Sequence, residues 1–373
     1  MPTDLLYVIT DLNLGGVPLH LHRLAVAMRK RGYGVTVVSL SPPGPVAERL
    51  RNDGVTVLSC EGAGGRDFRV VPRLARILRE VQPRLVHSFL FHANLASKFA
   101  AQAVGFPATR LICEIQTVEV ERRWHLWVDR RTYDLCRVTI GNSPSVVRHL
   151  ADHAGIPMDR LRLVRGGVDP TAIERAAPVD RRALGLLDDA KMIFWAGRLD
   201  PVKGLEILID AVALLHDRTV HLVLAGDGSL RESLQTQVDA LGVTSRVHFL
   251  GSRQDVPSLL NACDVFAFPS RTEGLPNALL EAMAAGCAIV ATDVPGNRDL
   301  VENERTGLTV PYNDTDALAA AIRRSLDDSA LAERLGRGAA DAIERHWRID
   351  RTHDAYANLY AEVLAARRPI IPN

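Results

Sequence analysis

Short apolar runs alternate with longer stretches in which apolar positions return every three or four residues, almost along the whole chain. In the first half the runs are "LLYVIT" (5–10), "GVTVVSL", "VTVLS", "RLVHSF", "RLICEI" and "RVTIGN", with amphipathic segments such as "VPLHLHRLAVAMRKRG" and "VVPRLARILREV" between them. Near-continuous apolar runs predict buried strands and the 3.6-residue period predicts helices, so the pattern describes parallel sheets wrapped by helices. After "LVRGGVDPTAIERAAPVD" (163–180) the rhythm restarts with "KMIFWAG", "TVHLVLAG", "RVHFLG", "DVFAFPS" and "CAIVAT". The expectation is two doubly wound α/β domains in tandem, 1–170 and 171–345, with a linker within 166–180 and a last helical segment, 346–373. Such domains bind ligands outside the carboxyl ends of their strands, which predicts a cleft between the two.

Composition narrows the class without naming it. A length of 373 residues suits two cores, and 47% hydrophobic with 24% charged residues is ordinary for a soluble globular protein. Lys plus Arg (45) nearly balances Asp plus Glu (44), leaving no global field that would select nucleic acid. Five scattered cysteines without a C-x-x-C pair predict reduced, buried thiols in a cytoplasmic protein. The segment "MPTDLLYVITDLNLGG" has no basic region before its apolar run, so it predicts a strand rather than a signal peptide. No run reaches the roughly 18 uncharged apolar residues of a membrane span.

Three stretches carry candidate chemistry. In "TDLNLGGVPLHLHRLA" a strand runs through Gly15 and Gly16 into a helix, which fits either a phosphate-approaching loop or a plain tight turn. In "FWAGRLDPVKGLEILIDA" a strand ends at Gly197 and Arg198, and Lys203 follows at the start of the next helix. Two cations so placed can close on a diphosphate from both sides, the alternative being solvated surface charge. In "EGLPNALLEAMAAG" Glu273 lies in a loop, Pro276 opens a helix to about Ala285, and the amides of Gly274, Leu275 and Asn277 gather at its start. Glu281 falls one turn after Asn277 on the same face. That helix is apolar nearly all round, so its carboxylate needs a partner; simple capping by Glu273 and an exposed Glu281 are the alternatives.

These residues together resemble the retaining glycosyltransferases of family four, which have the GT-B fold of two Rossmann-like doubly wound domains facing across a cleft. The resemblance lies in "GRLDPVKGLEILIDA", "LAGDGSLRESL", "FPSRTEGLPNALLEAMAAGCAIVATDVPGNRDLV" and "NERTGLTVPYNDTDALAAAI", with "LGGVPLHLHRLA" and "GGVD" in the first half. It implies a nucleoside-diphosphate sugar donor, UDP- or GDP-linked, and no separate cofactor. Glu273 would contact sugar hydroxyls and Glu281 the ribose. Arg198 and Lys203 would grip the diphosphate, with Gly15 and Gly16 facing it. Gly197, Asp227, Leu275 and Pro276 complete the expected donor contacts, and the second domain would bind donor while the first binds acceptor.

Transfer builds negative charge on the departing phosphate, which Arg198, Lys203 and loop amides can stabilise without a metal. The one D-x-D, Asp314 to Asp316, precedes a helix and is expected to cap it. Relatives often carry a His just after the strand matching "LICEIQT", where this chain has Gln116. His87 and His92 in "VHSFLFHANLASKFA" are expected to rim the cleft, with His92 the candidate base; the donor phosphate can also accept the proton. On "VEVERRWHLWVDRRTYDLCR" (118–137) Arg123, Trp127 and Arg130 share a helical face near Trp124. This surface suits an anionic lipid-linked acceptor or peripheral contact at the inner membrane face, while Glu119, Glu121, Asp129 and Asp134 offset its charge. Trp347, Tyr356, Leu359, Tyr360 and Val363 read as packing on a helix that, by the resemblance, returns to the first domain and acts as a hinge. The leading reading is transfer of a sugar to a glycan or lipid-linked hydroxyl in cell-surface polysaccharide or glycolipid synthesis. A GT-B epimerase or phosphorylase, or a non-catalytic sugar-nucleotide-binding protein, are the alternatives.

Overall fold

The structure is a computed structural model that describes residues 3–64, 67–118, 123–187 and 189–365. The chain divides into two units: residues 1–165 with 352–373, and 166–351.

The first unit holds a seven-stranded sheet of β1 (Leu5–Ile9), β2 (Val35–Ser39), β3 (Thr56–Ser59), β4 (Leu85–Phe89), β5 (Leu111–Ile115), β6 (Val138–Gly141) and β7 (Leu161–Leu163). Their order is β3-β2-β1-β4-β5-β6-β7, and all pair in parallel. Helices cover both faces, so β1, β2, β4 and β5 are buried at every residue. The helix Gly16–Lys30 turns Leu21, Leu24, Ala25 and Met28 onto the sheet, and its last turn carries Arg29 and Lys30, whose charge suits a helix carboxyl end. The helix Ile349–Ala365 lays Tyr356, Leu359, Tyr360 and Val363 into the same core as Leu5, Tyr7 and Ile9.

The second unit holds β8 (Lys191–Ala196), β9 (Val220–Ala225), β10 (Val247–Gly251), β11 (Val265–Phe268), β12 (Ala288–Thr292) and β13 (Leu308–Val310). The order is β10-β9-β8-β11-β12-β13, again parallel throughout. The two chain segments that enter and leave this unit are stitched together: Val168 N–H donates to Trp347 O at 2.8 Å and Ile349 N–H to Val168 O at 2.9 Å. Each sheet reverses its winding once, between β1 and β4 and between β8 and β11. At such a switch point the loops leaving adjacent strands diverge to opposite faces and open a crevice.

Eleven of the strands coincide with the apolar runs to within a residue or two at each end. The other two, β7 and β13, are three-residue sheet edges with too few apolar positions to register as runs.

Candidate active site

In the second unit the predicted donor residues converge on the β8/β11 switch point. The loop after β8 carries Arg198 and Lys203, with Lys203 closing a short 3-10 turn, Pro201–Lys203, ahead of the helix Leu205–Leu214. The loop after β11 carries Glu273. Lys203 Nζ donates to Glu273 Oε1 at 2.7 Å, in a pair whose side chains are only 20% and 10% exposed. The backbone holds this meeting: Arg271 N–H donates to Val202 O at 2.8 Å. Gly204 follows at φ 64, and a Cβ there would lie 2.3 Å from Pro269 O, so conformation and space both demand glycine. Arg198 instead extends into solvent and pairs with Asp200. The structure thus brings Lys203 to Glu273 rather than closing two cations on one point. Gly197 ends β8, and its N–H donates to Ala225 O at 3.0 Å. Asp227, on the adjoining loop, accepts from Gly228 N–H at 2.8 Å.

The helix after Glu273 spans Asn277–Ala284, and Pro276 is its N-cap rather than its first residue. Pro276 has φ −78 and ψ 110, extended like other caps, and its carbonyl accepts from Leu279 and Leu280. Gly274 is buried and Leu275 half-buried. Leu279, Leu280, Ala282 and Met283 bury one side of the helix, while Glu281 is half-buried. Sequence reasoning did not single out the support beneath this loop. Asn297 Nδ2 donates to Thr292 O at 2.9 Å, and Thr292 Oγ1 donates to Ser270 O at 2.5 Å, tying the end of β12 to the end of β11. Gly296 lies against the Glu273 carbonyl, where a Cβ would be 2.5 Å from the oxygen. Asp314 caps the helix Thr315–Asp327, accepting from Ala317 N–H at 2.9 Å. Among the described residues no group of three or more His, Cys, Asp or Glu could hold a metal.

In the first unit the switch point lies between β1 and β4. Gly15 is extended at φ 178, and a Cβ on it would meet nothing closer than Pro18 at 3.6 Å. The turn itself therefore does not demand glycine at that position. Gly16 opens the helix Gly16–Lys30, and both glycines are exposed. His92 lies in the first turn of the helix Phe91–Val104 and is partly exposed, edge-on to Phe91 and His125 at 5.4 and 5.7 Å. His87 corrects the expectation of a second rim histidine: its ring is fully buried. It meets Glu114 Oε2 at 3.0 Å through Nε2 and Tyr360 OH at 2.8 Å through Nδ1. Glu114, also fully buried, accepts from Tyr356 OH at 2.8 Å and from Gln116 Nε2 at 2.6 Å. Burial pushes this carboxyl up, but the bond from His87, the nearby His87 and His20, and the Tyr356 hydroxyl outweigh it and leave it below its ordinary value. The signal for this cluster was a glutamate inside the apolar run "LICEI", which demands partners.

The predicted amphipathic segment forms a helix over Arg123–Thr132; residues 119–122, with Glu119 and Glu121, lie outside the described residues. Trp124 and Trp127 are 55% and 59% exposed, and the Arg131 guanidinium lies 5.0 Å from the Trp127 ring centroid. Asp129 does not offset the surface charge as expected. It is buried, 3.9 Å from the buried Lys98 ammonium, and burial pushes its carboxyl up to about 6, with Lys98 opposing. Of the cysteines, four are buried and Cys263 is half-buried, 3.6 Å from Cys287 between sulfurs. No helix among the described residues is long and apolar enough to cross a membrane.

Comparison with known proteins bears on this arrangement directly. The family model described as Glycosyltransferase Family 4 matches residues 14–172, and that described as Glycosyl transferases group 1 matches residues 190–328. An uncharacterized glycosyltransferase of Methanocaldococcus jannaschii is 30% identical over 93% of this chain and 94% of its own. The chain belongs to glycosyltransferase family four. A second relative, a lipopolysaccharide core biosynthesis glycosyltransferase of Rhizobium meliloti, is 30% identical over 95% of this chain and 97% of its own. The fold of this family-four glycosyltransferase is GT-B. Anabaena HepE, solved in complex with UDP, superposes with a TM-score of 0.84 at 22% identity, covering 96% of this chain and 100% of that one.

Proposed function

We propose that this glycosyltransferase moves a sugar, with retention of anomeric configuration, from a nucleoside-diphosphate sugar to a hydroxyl of a glycan or lipid-linked acceptor. Cell-surface polysaccharide or glycolipid synthesis is the setting. The observation that carries the donor assignment is the meeting of Lys203, Glu273 and the start of the helix Asn277–Ala284 at one switch point. An ammonium, a carboxylate and amides at a helix start are complementary to diphosphate, sugar hydroxyls and phosphate oxygens respectively. UDP is the leading donor nucleotide because a protein of the same fold was solved with it. Glycolipid synthesis is supported by the named role of the Rhizobium relative.

Breaking the donor bond leaves positive charge on the anomeric carbon and negative charge on the departing phosphate. Lys203 turns from Glu273 toward that phosphate, Arg198 approaches from the solvent side, and the helix-start amides complete a preorganised cationic field, so transfer proceeds without a metal. Glu273, released from Lys203, accepts from sugar hydroxyls, and Glu281 from the ribose. The leaving phosphate takes the acceptor proton, with His92 the side-chain alternative. Trp124 and Trp127, exposed beside Arg130 and Arg131, favour an amphipathic or anionic acceptor presented at a membrane surface.

Calorimetric titration with UDP, GDP, ADP and their sugar conjugates tests the reading on wild type, Lys203→Ala and Glu281→Ala. One nucleotide is expected to bind, and to weaken in both variants. Binding indifferent to both substitutions, or transfer abolished by a chelator and restored by a divalent ion, would overturn the donor site or the metal-free mechanism respectively.

A further inference from the structure

The helix Phe91–Val104 carries His92, Leu95, Ala96 and Phe99 at i, i+3, i+4 and i+7, one stripe along one face. With Val70 and Val71 at the start of the helix Val70–Val81, and Leu40 after β2, this stripe walls a cavity of about 120 Å³. The chain between β3 and that second helix also bounds the cavity and is built to hold its shape. Gly62 N–H donates to Leu40 O at 2.8 Å, and a Cβ on Gly62 would stand 2.6 Å from Val70 Cγ1 and 2.7 Å from Leu40 O. Asp67 accepts from the N–H groups of Ala63 and Arg69, each at 3.1 Å, and Arg73 donates to the Cys60 and Glu61 carbonyls at 2.8 and 2.9 Å.

Polarity changes along this slot. Ile9 pairs with Phe89, so Thr10 and His92 leave adjacent strand ends at the β1/β4 switch point. Thr10 lines the cavity, and its buried Oγ1 has no hydrogen-bond partner among the described residues. Phe99 stands seven residues beyond His92, about 10 Å further along the helix. It is 42% exposed, and Phe68, which lines the same cavity, is 83% exposed. The polar groups thus sit at the strand ends and the apolar ones reach solvent.

The volume suits one group rather than a whole ligand, since an apolar cavity of about 150 Å³ takes a benzene and whole-ligand pockets run to about 300–1,000 Å³. A sugar there would set unpaired hydroxyls against Leu95, Ala96 and the two valines. A hydrocarbon segment of about six carbons matches both volume and walls. A longer chain would run out over Phe99 and Phe68 and cover them. Arg76 and Arg79 are exposed on the helix Val70–Val81, where Glu80 is the one acid, so the approach is net positive and complementary to a phosphate headgroup.

We infer that the slot holds the first carbons of the acceptor's hydrocarbon chain, with the head at Thr10 and His92 and the tail leaving over Phe68 and Phe99. This rests on the transfer reaction proposed above. The acceptor is then a lipid whose accepting hydroxyl lies close to its chain, on the headgroup or its first sugar, and not a long lipid-linked oligosaccharide.

The test uses the full chain. NMR follows the methyl groups of Val70, Val71, Leu95 and Ala96 as 1-hexanol is added to wild type and to Val71→Phe, which fills the slot from a half-buried position. Shifts at millimolar hexanol in wild type, lost in Val71→Phe, are expected. Transfer is read as nucleoside diphosphate released from the donor, with methyl, hexyl and benzyl glycosides of the common hexoses as acceptors. Each buried methylene is worth about a factor of four, so about three covered methylenes should raise kcat/KM about 50-fold for hexyl over methyl. Val71→Phe should remove that preference and leave calorimetric affinity for the nucleotide unchanged; Ala96→Leu takes its place should that variant not fold. Equal kcat/KM for methyl and hexyl glycosides, or no NMR shift with hexanol, overturns the inference while the transfer reaction stands. A benzyl group preferred to hexyl overturns the chain in favour of a compact ring. No release with any acceptor, from an enzyme that binds nucleotide sugar, removes the reaction and the acceptor role of the slot together.

Discussion

Replacing Gly296 with alanine is a minimal perturbation with a large expected effect. The new Cβ would stand 2.5 Å from the Glu273 carbonyl oxygen and 2.8 Å from that of Gly274. Both neighbours are backbone, so no side-chain rotation relieves the overlap. Restoring ordinary contact requires the Glu273 loop to move by about 0.5 to 0.9 Å, and overpacking of this kind costs about 1–3 kcal/mol. Glu273 is also the partner of Lys203, and a misplacement near 1 Å in a catalytic group costs on the order of 100-fold in rate. The expected result is a fall of about 100-fold in kcat/KM for transfer and a Tm lower by up to about 10 °C. Gly242→Ala is the comparison: its φ is +68 but nothing lies within 4 Å, so it strains the backbone without touching the site. That variant should lose stability, by about 1 kcal/mol, and keep full activity. Wild-type kcat/KM in Gly296→Ala would refute the idea that this glycine sets the position of the Glu273 loop.

Three further outcomes are expected. In a denaturation double-mutant cycle on Lys203→Ala and Glu273→Ala, the part-buried pair should show a coupling of about 1–2 kcal/mol, and additive losses would count against a direct bond. Burial raises the Asp129 carboxyl to about 6 in the folded protein, above its unfolded value of about 3.9. Its contribution is therefore most favourable below about pH 4 and declines toward pH 6, by up to about 3 kcal/mol; Asp129→Asn should flatten the pH slope of the urea midpoint, and equal slopes would exclude this. Trp124→Ser with Trp127→Ser should weaken sedimentation with anionic vesicles several-fold at unchanged Tm, and unaltered sedimentation would detach that helix from membrane contact.

Legibility in the sequence followed the kind of signal each residue gives. Buried strands such as Lys191–Ala196 and Ala288–Thr292 are apolar throughout and declare themselves, while Leu161–Leu163 and Leu308–Val310 are edges too short to do so. Lys203 and Glu273 could be placed as loop residues at strand ends, but their direct bond could not, because 70 residues separate them. His87 and Glu114 were misjudged or passed over for a related reason. Adjacent parallel strands put them diagonally across one face, two register positions apart, and the tyrosines that enclose them arrive from beyond residue 351. Tyr356 and Tyr360 looked like packing residues and do pack; their hydroxyls add a role that periodicity does not encode. Gly296 is legible only once the carbonyls it touches are known.

The first unit closes its core with residues that the ribosome delivers only after the whole of the second. Between the emergence of Arg165 and of Thr352, a ribosome working at about 5–20 residues per second takes roughly 10 to 40 seconds. Throughout that interval His87 and Glu114 await the hydroxyls of Tyr360 and Tyr356, and the hydrophobic face built on Tyr7 lacks its cover. The second unit, contiguous in sequence, is complete before the first, whose seven strands come earlier but whose closing helix comes last. Folding during synthesis therefore runs opposite to chain order, and the nascent first unit is the part of this enzyme most exposed to chaperones and to aggregation.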